Sequence, residues 1–221
     1  MSPITRVLGK VFLPLCAAAL AGCASTSPVP YSQLASASQL RPNPQDSSGR
    51  TPYSSPKQAD WRNYSSAILD PVVIYNGPDS QFEDISEPDK ADLAGYMQTQ
   101  IAQKLRPRFS LVRTPAPNTL RIHVTLTGAK TTTRGLSTFT RFDLGGGPYN
   151  IVQSIRGKEG TFTGNVSYAV EIFDATSNAL LEAYVTKQYP NALNVGATMG
   201  KLDASRTGID KGTDELIARF N

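Results

Sequence analysis

The chain has 221 residues, with 22 lysines and arginines against 18 aspartates and glutamates, a formal net charge of +4. Its densest basic cluster, Lys104, Arg106 and Arg108, is broken by Leu105 and Pro107, whereas nucleic-acid binders gather their basic residues on one face or in runs. A single histidine, His123, excludes multi-histidine zinc sites and leaves one possible base for a Ser-His-Asp triad.

The first informative element is the leader. Arg6 and Lys10 precede an apolar stretch over residues 11–21, interrupted by Pro14. That stretch falls well short of the roughly 20 residues a membrane-spanning helix needs, and basic residues followed by a short apolar run and small residues describe a secretory signal. Leu20-Ala21-Gly22-Cys23 resembles the lipobox of bacterial lipoproteins. The resemblance implies cleavage between Gly22 and Cys23, with Cys23 becoming a diacylglycerol-modified, usually N-acylated, mature N-terminus. One acyl chain anchors marginally, whereas two or three hold firmly, since each buried methylene contributes about 0.8 kcal/mol. Ala24 stands where an Asp would mark inner-membrane retention, so the resemblance points to the outer membrane. Cys16 lies in the leader, which leaves Cys23 alone in the mature chain and no intrachain disulfide.

Residues 23–60 are rich in Ser, Pro, Gln and Asn and poor in apolar side chains, the composition of a segment that does not repay the entropy of ordering. A flexible tether of this length reaches on the order of 35 Å. Tyr31, Leu34, Leu40 and Tyr53 are the residues through which it could instead dock as a strap.

Residues 61–221 are expected to form one globular domain. A first strand is predicted over residues 67–75, running properly from Pro71 or Val72, since proline lacks a ladder donor and suits a strand's first position or an edge. Trp61 and Tyr64 are expected to cover one end of the core. Ser86-Glu87-Pro88-Asp89 predicts a helix start, with Leu93, Tyr96, Met97, Ile101 and Leu105 as its apolar stripe and Pro107 as its stop. Leu120, Ile122, Val124 and Leu126 alternate with polar residues, as do Val166, Tyr168, Val170 and Ile172, and both runs predict strands with one buried face. Residues 174–178 predict a turn and 180–187 a third strand. A final helix is expected to be capped by Asp203 or Ser205, with Ile209, Leu216, Ile217 and Phe220 inward. The expected fold is α+β: a mainly antiparallel sheet of about four strands with two helices packed against it, preceded by a disordered tether.

Connections as long as the segment between Lys130 and Thr163 are usually functional or disordered. Arg134, Phe139, Arg141, Phe142 and Arg156 within it are the candidate partner-contact residues.

No catalytic, metal or cofactor motif survives its context. Ser54-Ser55-Pro56-Lys57 has S-x-x-K spacing but lies in the tether. Residues 196–201 are one short of a phosphate-binding loop and lack its hydroxyl. Residues 174–179 open like a calcium loop but carry Ala where glycine must turn. His123 shares a polar strand face with Arg121 and Thr125, the setting of a solvated histidine.

The chain resembles the Gram-negative lipoproteins that carry domain of unknown function 3313. The resemblance rests on the lipobox, Tyr31-Ser32-x-Leu34, Leu40-Arg41-Pro42, Trp61-x-x-Tyr64 and Asp70-Pro71-Val72. It continues through Ala91-Asp92-Leu93-Ala94-x-Tyr96-Met97, residues 120–128, and the hairpin around Asp174 with Leu180-Leu181. Asn178 stands where a glycine is expected, and asparagine tolerates the left-handed conformation such a turn requires. What the resemblance implies is location and architecture, with no catalytic residues. The expectation is an outer-membrane lipoprotein with a periplasm-facing, non-catalytic binding domain, its partners being the membrane and an unidentified envelope protein. The alternatives are an envelope hydrolase using a carboxylate pair such as Asp70 and Glu171, and a carrier of a small apolar ligand.

Overall fold

The computed structural model describes residues 26–132, 152–154, 159, 163–194 and 196–221. In chain order the elements are β1 (Arg41–Pro42), β2 (Tyr53–Ser54), a 3-10 turn at Trp61–Asn63, β3 (Ser66–Leu69), β4 (Val73–Ile74), β5 (Gln81–Glu83), α1 (Glu87–Leu105), β6 (Ser110–Leu111), β7 (Thr119–Lys130), β8 (Asn165–Asp174), β9 (Leu180–Gln188), a second 3-10 turn at Gly196–Thr198, and α2 (Asp203–Ala218). Residues 152–154 form a further helical piece, which makes three helices among the described residues where two were expected.

The alternating strands form the sheet's centre. β8 lies antiparallel between β7 and β9, with Val124 opposite Val170 and Val170 opposite Tyr184. Leu120, Ile122, Val124, Leu126, Val170 and Ile172 point to one face and pack against α1 and α2. α1 presents Leu93, Met97, Ile101 and Leu105 to them, as its three- and four-residue spacing dictates. Ser86 Oγ accepts the Asp89 amide at 3.3 Å and so closes the helix's first turn. Trp61 is buried edge-on against Phe220, with ring centroids 5.3 Å apart, and covers one end of this core.

The sheet corrects the expectation of about four mainly antiparallel strands: it is mixed and nine-stranded, ordered β1-β2-β9-β8-β7-β3-β6, with β4 and β5 also on β7. Residues 66–83 run parallel along one edge of β7 in three pieces, pairing in turn with residues 119–122, 125–126 and 128–130. The breaks fall at Asp70-Pro71 and across residues 75–80. Strand pairing therefore begins at Ser66, ahead of Pro71, and the proline interrupts the ladder instead of opening it. The parallel pairing follows from α1, which carries the chain back from the end of β5 to the start of β7.

The expectation of a disordered tether is also overturned. Residues 26–60 lie as a strap over the sheet's second face, with Tyr31, Leu34 and Leu40 buried against Tyr75, Ala169, Ala183 and Val185. β2 pairs with β9, and β1 pairs with β2. The pairing continues past β2, where the Ser55 amide donates to the Ala183 carbonyl and the Gln58 amide to that of Leu181, each at 2.8 Å. The outer edge of β9 thus has its donors and acceptors occupied by the strap. β8 is consequently buried on both faces: Ser167, Ala169, Glu171 and Phe173 are covered although they read as its solvent side. Tyr31 adopts φ 29°, a left-handed conformation costing a non-glycine residue about 1–2 kcal/mol. Burying its aromatic ring returns about 1.5–3 kcal/mol, enough to hold the conformation.

α2 begins after Leu202 without a side-chain cap bond. Of the two expected caps, Asp203 accepts the Gly200 amide and Ser205 is buried, donating to the Asn165 carbonyl at 2.9 Å. The helix can come so close to the sheet because of its glycines. A Cβ at Gly212 would lie 1.8 Å from the Tyr168 hydroxyl and 3.0 Å from Gln188 Cγ. Replacing a helical glycine by alanine normally gains about 1 kcal/mol, but overpacking a tight core costs about 1–3 kcal/mol. Gly212→Ala is therefore expected to lower the urea midpoint, whereas Gly95→Ala on the exposed side of α1, where a Cβ meets nothing within 4 Å, should raise it. Equal shifts for the two variants would contradict this packing.

Candidate functional site

Cys23, Gly22, Arg134, Phe139, Arg141, Phe142 and Arg156 all lie outside the described residues. The structure does place the point where the chain leaves the candidate lipidation segment. Thr26 Oγ1 donates to Glu83 Oε1 at 3.1 Å, its carbonyl accepts Lys187 Nζ at 3.0 Å, and the Ser27 carbonyl accepts Gln81 Nε2 at 2.9 Å. The strap is therefore fixed from its first described residue.

Those contacts lie at one end of the sheet, where β5 and β7 finish and β8 starts. Glu83 pairs in register with Lys130, and Lys130 with Asn165. Three ion pairs occupy the same end: Lys130 with Glu83 at 2.9 Å, Lys187 with Glu159 at 2.9 Å, and Lys201 with Asp89 at 2.5 Å. The loop between β9 and α2 closes over it, with the Thr132 amide donating to the Lys201 carbonyl at 3.3 Å.

Further along, the strap is held by acidic side chains of the body. Asp79 accepts the Ser32 amide at 2.9 Å and the Tyr75 hydroxyl at 2.5 Å, and Glu171 accepts the Ser36 amide at 2.6 Å. The Tyr31 hydroxyl donates to Gln81 Oε1 at 2.9 Å, and burial pushes its pKa up to about 12. Near β9's outer edge, Arg50 is buried, donates to Gln188 Oε1 at 2.9 Å and stacks 3.8 Å over the Tyr189 ring.

The candidate acid pair is resolved into two structural roles. Asp70 takes a forked contact from Arg121, with Nε at 2.8 Å and Nη2 at 3.2 Å, and its Oδ2 lies 2.6 Å from His123 Nε2. The ring N–H is not aimed at that oxygen, so the contact is close without being a hydrogen bond. Glu171 lies across the ladder from His123, buried beneath the strap. His123 is half-buried, with its ring centroid 5.2 Å from that of Phe173, instead of standing fully in solvent.

A cleft of 480 Å³ lies where α1 and α2 end, lined by residues including Lys104, Arg108, Asp214 and Ile217. Its size suits a small ligand, but Lys104 is engaged by Asp214 at 2.6 Å and Arg108 by the Tyr64 and Trp61 carbonyls. Pro107 and Ala218 line it with Ile217. In the turn after β8, Asp174 Oδ1 accepts the Ser177 amide at 2.8 Å and the Thr176 amide at 3.0 Å, which hold its pKa below the ordinary carboxylate value, the Ser177 amide contributing most. Asn178 adopts φ 58°, the left-handed position anticipated for it. Among the described residues no group of three or more His, Cys, Asp or Glu gathers for a metal ion, and no helix is long and apolar enough to cross a membrane.

Together these features define a strap-covered α+β domain on a mixed sheet. The family described as Protein of unknown function (DUF3313) matches residues 30–216, and the chain belongs to it. No curated protein matches the chain. Among solved structures, the PelC dodecamer from Paraburkholderia phytofirmans is similar at TM-score 0.41 and 11% identity, over 75% of this chain and 90% of that one. Protein XCC0632 from Xanthomonas campestris follows at TM-score 0.38 and 7% identity, over 73% and 87%. The hypothetical protein CT253 from Chlamydia trachomatis is similar at TM-score 0.32 and 12% identity, over 70% and 94%. At such low identities and scores the likeness extends to no assembly, ligand or activity.

The Asp79 contacts make the strap sensitive to acid. The Tyr75 hydroxyl, and after it the Ser32 amide, hold the Asp79 carboxyl below its ordinary pKa. A depressed pKa stabilises the docked form above the unfolded value, about 3.9 for aspartate, and this contribution disappears as pH falls through the folded value. Amide protection factors over residues 31–40 should therefore decline relative to those of β8 as pH drops from about 5 to about 3. Asp79→Ala should abolish that differential loss, and an unchanged pH response in the variant would remove Asp79 from the strap's anchorage.

Proposed function

We propose that the protein is an outer-membrane lipoprotein, held by acyl chains on Cys23, whose periplasm-facing body acts by binding as an accessory or structural component of the cell envelope. The observation that carries the anchoring is Leu20-Ala21-Gly22-Cys23 directly after a short apolar run opened by Arg6 and Lys10. The non-catalytic reading draws support from the roles of the two candidate acids. Asp70 is engaged by the Arg121 guanidinium, and Glu171 holds the strap through Ser36. A hydrolytic pair instead needs one carboxyl poised as an acid and the other as a base or nucleophile beside a shared substrate.

Intact mass of the processed N-terminus should show a lipidated cysteine, and Cys23→Ser should leave the outer-membrane fraction while remaining folded by circular dichroism. An unmodified thiol, or a variant that still floats with outer membranes, would overturn the anchoring. For the binding role, in-cell crosslinking of the lipidated protein is expected to recover one envelope protein in stoichiometric amount. Recovery of nothing above background would count against that role.

A further inference from the structure

We infer that the end of the sheet bearing Thr26 sits directly on the lipid surface, with Leu193 and Met199 entering the boundary between headgroups and acyl chains. This seating rests on the lipid anchoring proposed above.

The first argument is chain length. Cys23 is three residues from Thr26, and three residues of fully extended chain span at most about 11 Å. Thr26 is itself fixed by Glu83 and Lys187, so the acyl chains can stand no farther than that from the finish of β5 and β7. A free tether over residues 23–60 would have set the body on the order of 35 Å away. The docked strap removes that freedom, and a body attached so close to its acyl chains has its Thr26 end turned toward the bilayer.

The second argument is independent of the first. Folded proteins normally cover their large apolar side chains, and clustered exceptions mark contact surfaces. The large apolar residues exposed among those described are Val73, Val152, Leu193 and Met199, the last 76% exposed. Leu193 and Met199 lie in the loop from the end of β9 to the start of α2, which is tied to β7 through Lys201 and Thr132. Val152 joins them, because Ser154 in the same helical piece donates to Asn191 Oδ1 at 2.7 Å. Three of these four side chains therefore stand at the end where the candidate anchor enters.

The charge pattern suits the same occupant. Lys130, Lys187 and Lys201 are each matched by an acid at this end. The Lys187 pair is buried, while those of Lys130 and Lys201 are partly exposed. Apolar side chains beside such balanced charge fit a headgroup layer, in which leucine and methionine bury their hydrocarbon while the exposed pairs stay wet.

The test uses the full lipidated protein in vesicles of phosphatidylethanolamine and phosphatidylglycerol. An environment-sensitive fluorophore is attached at Gly196→Cys, where the nearest atom to a new Cβ is Asn194 Oδ1 at 3.6 Å. A second protein carries it at the exposed Ala116→Cys, whose carbonyl accepts Thr176 Oγ1 at the opposite end of the sheet. Seating predicts blue-shifted emission at 196 and quenching by brominated acyl chains, with water-like, unquenched emission at 116. Adding Leu193→Ser and Met199→Ser to the 196 protein should reduce the quenching. Protein that floats with the vesicles but reads water-like at 196 would overturn the seating and leave the anchoring intact. Protein that does not float would overturn both. A blue shift at 196 without lipid quenching would assign this face to a protein contact instead.

Discussion

The fold depends on covering both faces of one strand. β8 is the sheet's centre, and its Val166, Tyr168, Val170 and Ile172 require a roof of helices while Ala169 and Phe173 require another cover on the reverse side. Two helices roof the first face. Among the described residues the second is covered by the strap, so residues 26–60 belong to the core as much as α1 or α2 does. Their low apolar content is no obstacle: burying Tyr31, Leu34 and Leu40 is worth about 1.5–3 kcal/mol each, and the covered edge of β9 satisfies backbone groups that would otherwise seek another strand.

This arrangement explains the distribution of polar residues. Glu171, Arg50 and Lys187 are buried, and each contacts the strap or belongs to it. A buried charge is costly unless paired and hydrogen-bonded. The network therefore fixes where the strap may lie, because sliding it by one residue would separate the Ser36 amide from Glu171 and the Arg50 guanidinium from Gln188. Apolar burial supplies the attraction, and the polar contacts supply the register.

What could be read in the sequence followed the strength of local periodicity. Ser86 with Pro88 marked the start of α1, and Leu120, Ile122, Val124 and Leu126 marked β7, because each pattern repeats several times within one element. The alternation along β8 located the strand but understated its burial, since Ser167 and Glu171 look like solvent-facing residues until the strap is in place. β1, β2, β4 and β6 have two residues each, too few for any period, and their pairing depends on partners distant in sequence. The strap was legible in Tyr31, Leu34 and Leu40, although composition alone argued for a free tether. Of the candidate acids, the sequence placed Glu171 on its strand, but Asp70 found Arg121 and His123 only through parallel pairing of β3 with β7, which no local pattern announces.

A strap that is part of the core alters what an N-terminal anchor would do. A flexible tether lets a domain tumble and search a volume above the membrane, whereas a chain fixed from Thr26 onward would transmit the position of an N-terminal anchor to the sheet itself. Orientation then comes at small entropic cost, because the segment that would have to be ordered is already ordered by folding. An anchored body of this kind would present its surfaces at fixed heights above the lipid. The Thr26 end would lie lowest, the residue 174–178 turn at the far end of β8 highest, and the half-buried His123 between them, so that each surface would meet a partner only at its own height.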